Sequence, residues 1–404
     1  MPSSVFAGIP LAPKDPILGI TELYNADPRT EKVNLGAGVY YDANGKLPLL
    51  SSVQQAETTL SEAHKARGYL PIDGLDQYNK AVQSLLFGAD SALLTAPAAQ
   101  KRVITVQALG GTGGLRIGAD LLRRFSGDAT VYISDPSWEN HRALFEAAGF
   151  RVETYPYYDA ESRGIDFSAM LHRLKEAADG SIIVLHACCH NPTGVDLTAD
   201  QWSEVIEILN AKRHVPFLDI AYQGFGDGID ADAAVVRRFA AGDLPFLVSS
   251  SFSKSFSLYG ERVGALTMVL PSADEAQRVL SQLKRVVRAN YSNPPTHGGA
   301  IVTAVLNTPK WRALWEEELA GMRTRIKKMR GELVSRLKAA GVKQDFSFVE
   351  RQRGMFSYSG LTAAQVDRLR DEHAIYAVSS GRICVASLNE GNIARVVGAI
   401  VQVL

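Results

Sequence analysis

The sequence predicts an α/β fold, with a mostly parallel sheet in a large domain and a smaller α+β domain beside it. Three observations carry this expectation. Through the middle of the chain, short β-branched runs alternate with amphipathic stretches, the rhythm of strands joined by crossover helices. Near Lys310 that rhythm gives way to apolar residues at helical spacing. The chain also has 404 residues, long for one simple core and sufficient for two.

In chain order, residues 1–15 are rich in proline (Pro2, Pro10, Pro13) and predict an extended arm. Residues 48–310 are assigned to the large domain. Residues 16–47 join 311–404 in the small one, because chain ends often pack together. The strand candidates of the large domain are Val103-Ile104-Thr105-Val106, Val131-Tyr132-Ile133-Ser134, Ile182-Ile183-Val184-Leu185, Phe217-Leu218-Asp219-Ile220, Phe246-Leu247-Val248-Ser249 and Gly264-Ala265-Leu266-Thr267. Amphipathic stretches such as 199–211 lie between them. Beyond Lys310, the residues Trp315, Leu319, Met322, Ile326, Met329, Leu333 and Leu337 mark one long helix whose single apolar stripe is explained by core packing. A smaller α+β region follows, ending with Arg382-Ile383-Cys384-Val385.

Composition narrows the function classes. Lys+Arg and Asp+Glu each count 43, a net charge of +0, which disfavours a polyanionic partner such as nucleic acid. No apolar run is long enough to span a bilayer, and the first residues lack the basic start and apolar stretch of a signal peptide. The three cysteines, Cys188, Cys189 and Cys384, are too few and odd in number for a disulfide framework. They fit a reducing compartment, so a cytoplasmic location is expected.

Four segments carry chemistry. Ser251-Phe252-Ser253-Lys254 directly follows a strand candidate, where ligands of open α/β sheets collect. A lysine there, with its pKa lowered by burial or a nearby cation, is a nucleophile toward carbonyls. Ser251, Ser253 and Arg262 around it make a plausible phosphate cradle. Asp219 lies inside an apolar run and needs a partner, such as a protonated pyridine nitrogen or the N–H groups of the next turn. Gly110-Gly111-Thr112-Gly113-Gly114 leads into the helical stretch 115–125 and offers backbone N–H groups to a phosphate. It is not a dinucleotide fingerprint, since Arg116 stands where the third glycine is required. His186-Ala187-Cys188-Cys189-His190 could be read as metal ligands, but adjacent cysteines chelate one ion poorly, and no metal is expected. Asn191-Pro192-Thr193-Gly194 is a turn by composition that leaves Asn191 free to face the same cleft.

These segments, in this order, resemble the class I aminotransferases of the aspartate and aromatic family, over nearly the whole chain. The most specific stretches are Ser251-Phe252-Ser253-Lys254 through Arg262-Val263-Gly264, and His190-Asn191-Pro192-Thr193-Gly194 with Asp219-Ile220-Ala221-Tyr222. The resemblance implies a fold-type I pyridoxal-phosphate transferase with Lys254 as the Schiff-base lysine and proton shuttle. Asp219 would keep the pyridine nitrogen protonated, backed by His141. Asn191 and Tyr222 would bond the phenolate oxygen, and Trp138 would stack on the ring. Gly111, Thr112, Ser251, Ser253 and Arg262 would hold the phosphate, joined by Tyr69 from a neighbouring subunit. Arg382 would clamp the substrate α-carboxylate, and Gly38 would belong to a segment closing over substrate. Arg288 would meet a distal carboxylate across the boundary of a homodimer with shared active sites.

Arg288 implies dicarboxylate substrates, whereas Val39-Tyr40-Tyr41 and Ser257-Leu258-Tyr259 look more like the aromatic branch. Dual specificity follows as the expectation: aromatic amino acids (Tyr, Phe) and aspartate as donors, 2-oxoglutarate as acceptor, in a ping-pong sequence. Asn293 departs from the smaller residue of some aromatic-branch proteins and keeps a strict aspartate enzyme in view. A pyridoxal-phosphate lyase of the same fold, or a binding module without catalysis, would share Lys254 and Asp219. A lyase would have less reason to keep both Arg288 and Arg382, and the intact set of contacts argues against the binding module.

Overall fold

Seven strands form the central sheet: β1 (Val103–Leu109), β2 (Val131–Asp135), β3 (Val152–Pro156), β4 (Ile182–His186), β5 (Val215–Ile220), β6 (Phe246–Ser251) and β7 (Val263–Val269). Their spatial order is β1-β7-β6-β5-β4-β2-β3. All pairings are parallel except those of β7, which runs antiparallel to both β1 and β6. This computed structural model describes residue 4, residues 6–12, residue 15 and residues 17–404. Part of the expected arm, at residues 1–3, 5, 13 and 14, lies outside the described residues.

The strands run longer than their β-branched cores suggested, and β3 had no counterpart among the sequence candidates, because Val152-Glu153-Thr154-Tyr155-Pro156 lacks a continuous apolar run. Alternation assigns the two faces of the sheet. Ile104, Val106, Ile133, Val184 and Phe217 belong to the apolar layer beneath the helices Gly110–Phe125 and Ala273–Asn290. Val103, Ile183, Leu185, Leu218 and Ile220 face the other layer. The glycine run is the first turn of the helix Gly110–Phe125 itself, not a turn preceding a helix at 115. Close packing explains it: a Cβ on Gly114 would lie 2.7 Å from Ser249 Oγ and 2.8 Å from the Ala265 carbonyl. That helix therefore sits low on the sheet, with its N-terminus at the carboxyl edge.

The long helix spans Pro309–Ala339, and every residue of the expected stripe is buried along it. Arg330, in its far half, bonds Phe356 and Ser357 of a two-stranded antiparallel pairing, Phe356–Tyr358 with Arg382–Cys384, and a parallel pairing joins Val33–Asn34 to Ile375–Tyr376. The second pairing ties the N-terminal segment to the C-terminal region. The chain continues past Arg382–Cys384 into a further helix, Ile393–Val403, whose apolar face packs on the long helix. The α+β region thus ends in a helix and not at Val385. Among the described residues, no helix is long and apolar enough to cross a membrane.

Candidate active site

Parallel strands end their loops on one side, so β1, β2, β4, β5 and β6 deliver their following residues to the same edge of the sheet. The antiparallel β7 contributes its beginning there, which brings Arg262 beside residues that follow β1 and β6. A cavity of about 250 Å³ lies at this edge.

Its floor is built on strand register. His186 pairs with Asp219, and Asp219 with Ser249, so all three share one face. Asp219 is buried and accepts a hydrogen bond from His141 Nε2 at 3.0 Å, while His141 Nδ1 meets the Ser137 hydroxyl at 2.9 Å. Burial pushes the Asp219 carboxyl up. The His141 hydrogen bond, with the nearby His141, His186 and Lys254, outweighs it and leaves the group below its ordinary value. His186 tilts against His141 at 5.0 Å between ring centroids and against His190 at 4.3 Å. Burial lowers His186 to about 3, with His141 adding to the effect, so its ring is neutral and Asp219 carries the charge. His190 is locked between the Ser134 and Thr193 hydroxyls and stacks on Tyr157.

Lys254 follows β6, with its Nζ 4.7 Å from the centre of the Tyr222 ring. Burial above all, with Arg262 and Arg382 adding to it against the opposing pull of Asp219, lowers its pKa to about 8. About a tenth of the amine is therefore neutral at pH 7, far more than an ordinary lysine keeps. On one side of it, Gly111 and Thr112 present first-turn N–H groups, with the Ser251 and Ser253 side chains and the Arg262 guanidinium close by. Arg262 Nη1 lies 3.5 Å from Ser253 Oγ, and glycine at 110 makes room for it, since a Cβ there would come within 2.6 Å of Nη2. This is a concave group of donors with no acidic side chain in it.

On the opposite side, Arg382 is 1% exposed. Its Nη1 donates to Asn191 Oδ1 at 3.1 Å, its Nη2 donates to the Gly36 carbonyl at 2.8 Å, and its Nε has no partner. Its guanidinium lies 4.3 Å from the Phe356 ring centre, and no carboxylate of the described residues pairs with it. A buried cation in this condition has the donors to accept an anion.

The cavity is lined by Gly38, Gly111, Thr112, Trp138, Asn191, Asp219, Tyr222, Ser251, Ser253, Lys254, Arg262 and Arg382, which were all candidates from sequence. His141 stands behind Asp219 and does not line it. Tyr69 is 95% exposed and Arg288 is also exposed, its guanidinium donating to Ser292 Oγ; neither reaches this cavity. Sequence reasoning missed Ile17, His186, Ala221, Tyr259 and Phe356 as lining residues. His186 had a usable signal, since it ends a strand whose neighbour carries Asp219. Phe356 had none, because it arrives from a distant segment. Cys188 and Cys189 are buried beside Asp232, whose carboxylate already accepts the Gly224, Gly226 and Asp227 N–H groups. A hydrogen bond to Cys189 and burial raise the Cys188 thiol well above its ordinary value.

Residues 30–400 match the family described as aminotransferase class I and II. The chain belongs to that family. It is 63% identical to an aspartate aminotransferase of Pseudomonas aeruginosa over 401 residues, covering 99% of this chain and 100% of that one. An aromatic-amino-acid aminotransferase of Escherichia coli is 52% identical over 391 residues, 96% of this chain and 98% of its own. The crystal structure of an aromatic-amino-acid aminotransferase from Burkholderia pseudomallei, covalently bound to pyridoxal phosphate, superposes with a TM-score of 0.96 at 63% identity over 100% of both chains. The chain is an aminotransferase with the fold of these enzymes, and pyridoxal phosphate is its cofactor.

Proposed function

We propose that this aminotransferase moves the amino group of aromatic amino acids (Tyr, Phe) and aspartate to 2-oxoglutarate, in a ping-pong sequence run by a homodimer with shared active sites. The observation that carries the reading is the buried Arg382 with donors to spare, facing Lys254 across one cavity. Relatives of similar identity bear both aspartate and aromatic names, which supports dual specificity.

The residues present fit pyridoxal phosphate. The donors of Gly111, Thr112, Ser251, Ser253 and Arg262 would hold its phosphate, Asp219 its ring nitrogen, Asn191 and Tyr222 its phenolate oxygen, and Trp138 one ring face. When bound, the cofactor supplies an electron sink for the pair left as the substrate Cα proton departs. The chain's own residues do the rest. Arg382 grips the α-carboxylate and so fixes the orientation of the Cα–H bond. Lys254, with its pKa near the working range, takes the proton at Nζ and returns it. His141 keeps Asp219 anionic and in place. Phe356 and Gly38 cover the Arg382 side, a Cβ on Gly38 lying 3.2 Å from the Phe356 ring, and keep water from the reacting centre.

The outward placement of Tyr69 and Arg288 supports the view that each serves the cavity of a second copy. The small lobe of 16–47 with 311–404 would close against 48–310. A cytoplasmic setting is part of the reading and is supported by three buried cysteines that are all free.

The test is a single-turnover titration of the cofactor-loaded protein with aspartate and, separately, phenylalanine, following the cofactor absorbance. Loss of the resting band with both donors is the expected result. Loss with aspartate alone would make it a strict aspartate enzyme, and release of ammonia without a stoichiometric keto acid would point to a lyase.

A further inference from the structure

We infer that Gln107 is a positioning residue that holds together the two segments this chain extends toward a second copy. The inference rests on the shared-site dimer proposed above. Those segments are 69–75, which carries Tyr69, and 288–295, which carries Arg288. They are far apart in sequence, yet both are fastened to one residue.

Gln107 lies on β1, the strand at one end of the sheet, and is 2% exposed. Every polar group it owns is engaged with one segment or the other. Its main-chain N–H donates to the Asp73 carbonyl at 3.1 Å, and its side-chain Oε1 accepts from the Leu75 N–H at 3.3 Å. Its Nε2 donates to the Pro295 carbonyl at 2.9 Å, and its main-chain carbonyl accepts from the Tyr291 hydroxyl at 3.1 Å. Buried amides are retained where they are satisfied. Here one planar amide has its acceptor on the first segment and its donor on the second, so the two are held at a fixed separation.

The packing leaves no slack. A Cβ on Gly74 would lie 2.4 Å from Gln107 Cβ, and a Cβ on Gly299 would lie 2.4 Å from its Nε2. The first segment, and the helix His297–Asn307 that directly follows the second, therefore press on this side chain. A second tie, Lys284 Nζ to Asp73 Oδ2 at 3.0 Å, is partly exposed and therefore weakened by salt. Gln107 also precedes the Gly110-Gly111-Thr112 turn on the same strand, so the outgoing segments are referenced to the rigid sheet that carries this chain's own donor group.

The amide gives the inference a directional test in the full-length, cofactor-loaded protein. Gln107→Glu keeps an acceptor for the Leu75 N–H but sets a second acceptor against the Pro295 carbonyl, so it should disturb the Arg288 segment selectively. The expected result is a KM for aspartate raised about tenfold, with KM for phenylalanine within about twofold of the parent and cofactor retention unchanged. Gln107→Met, of similar length and able to fold without a buried charge, removes both bonds. It should raise the aspartate KM by about the same factor and also speed cofactor loss, as Tyr69→Phe should.

Arg288→Leu and Tyr69→Phe are measured alongside, with the sedimentation of the parent protein. An aspartate-to-phenylalanine ratio changed by Arg288→Leu but not by either Gln107 variant would overturn the inference alone. Equal losses on both donors in the Gln107 variants would also overturn it, leaving that residue a merely structural part. An unchanged ratio in Arg288→Leu, or a parent that sediments as an active monomer, would overturn the shared-site reading and this inference with it.

Discussion

Replacing Arg382 by lysine separates the charge of this side chain from its shape. In the structure one terminal nitrogen is engaged by Asn191 Oδ1, the other by the Gly36 carbonyl, and Nε is unpaired. A guanidinium has five N–H donors in a rigid fork, so those two bonds leave enough for a two-pronged grip on a carboxylate. A lysine ammonium has three donors. After serving the same two acceptors it can offer a substrate only one. The variant should therefore lose one charge-assisted hydrogen bond, worth about 1.5–3 kcal/mol. At about 1.4 kcal/mol per decade, kcat/KM should fall roughly 10- to 150-fold. The fall should be the same for aspartate and phenylalanine, because both present an α-carboxylate. Steady-state kinetics with each donor and 2-oxoglutarate check this. A loss confined to one donor, or one below about threefold with the fold intact by circular dichroism, would show that Arg382 does not hold the α-carboxylate.

Three further outcomes are expected. In cofactor-free protein the lowered pKa of Lys254, about 8 against an ordinary 10.5, means that between those values the unfolded chain holds a proton the folded chain lacks, so stability should rise with pH there relative to Lys254→Met. Paired urea melts across this window check it, and a constant difference between the two proteins would refute the buried, proton-poor lysine. Asp219→Asn should weaken cofactor retention and slow single turnover by at least about 100-fold, since a neutral amide cannot hold a protonated ring nitrogen. Rapid-mixing absorbance reads both effects. Arg330→Met should cost at least about 3 kcal/mol in a urea melt, because the Val349, Gly354 and Phe356 carbonyls and the Ser357 hydroxyl all lose their buried donor; a cost below about 1 kcal/mol would show that water replaces it.

The parts of this molecule legible in its sequence were those whose physics is local. Strand cores announced themselves by β-branched runs, and the stripe from Trp315 to Leu337 by its period, because alternation and helical spacing are written into adjacent residues. Lys254, Asp219 and the glycine turn stood out because each is costly or idle without a ligand. Strand β3 was not legible, since Glu153 and Thr154 interrupt its apolar pattern and its existence depends on pairing with β2. Nor was the site role of His186, which follows from the register of β4 on β5. Phe356 becomes a wall of the cavity only because strand pairing sets it beside Cys384, next to Arg382. Gln107 reads as an unremarkable polar residue in a strand; its four partners lie 32 to 188 residues away along the chain. What sequence conceals here is consistently a long-range contact, and what it reveals is a local cost.

Two buried arginines show how structure sorts function from support. Arg330 and Arg382 are both about 2% exposed or less, and neither has a carboxylate partner among the described residues. From sequence alone, burial of either would be equally expensive. Arg330 resolves that expense internally: its terminal nitrogens reach the acceptors of the segment 349–357 and hold its backbone in place. That segment carries Phe356, whose ring lies against Arg382 and at 5.8 Å from Tyr222. Arg382 does not resolve it, keeping Nε unpaired at the edge of a cavity that also holds Lys254. One cation is satisfied so that the other stays in position unsatisfied. Burial therefore does not by itself distinguish a supporting arginine from one free to bind; what separates these two is that Arg382 lines the cavity with Lys254 and keeps a donor without a partner, whereas Arg330 spends its terminal nitrogens on the 349–357 segment.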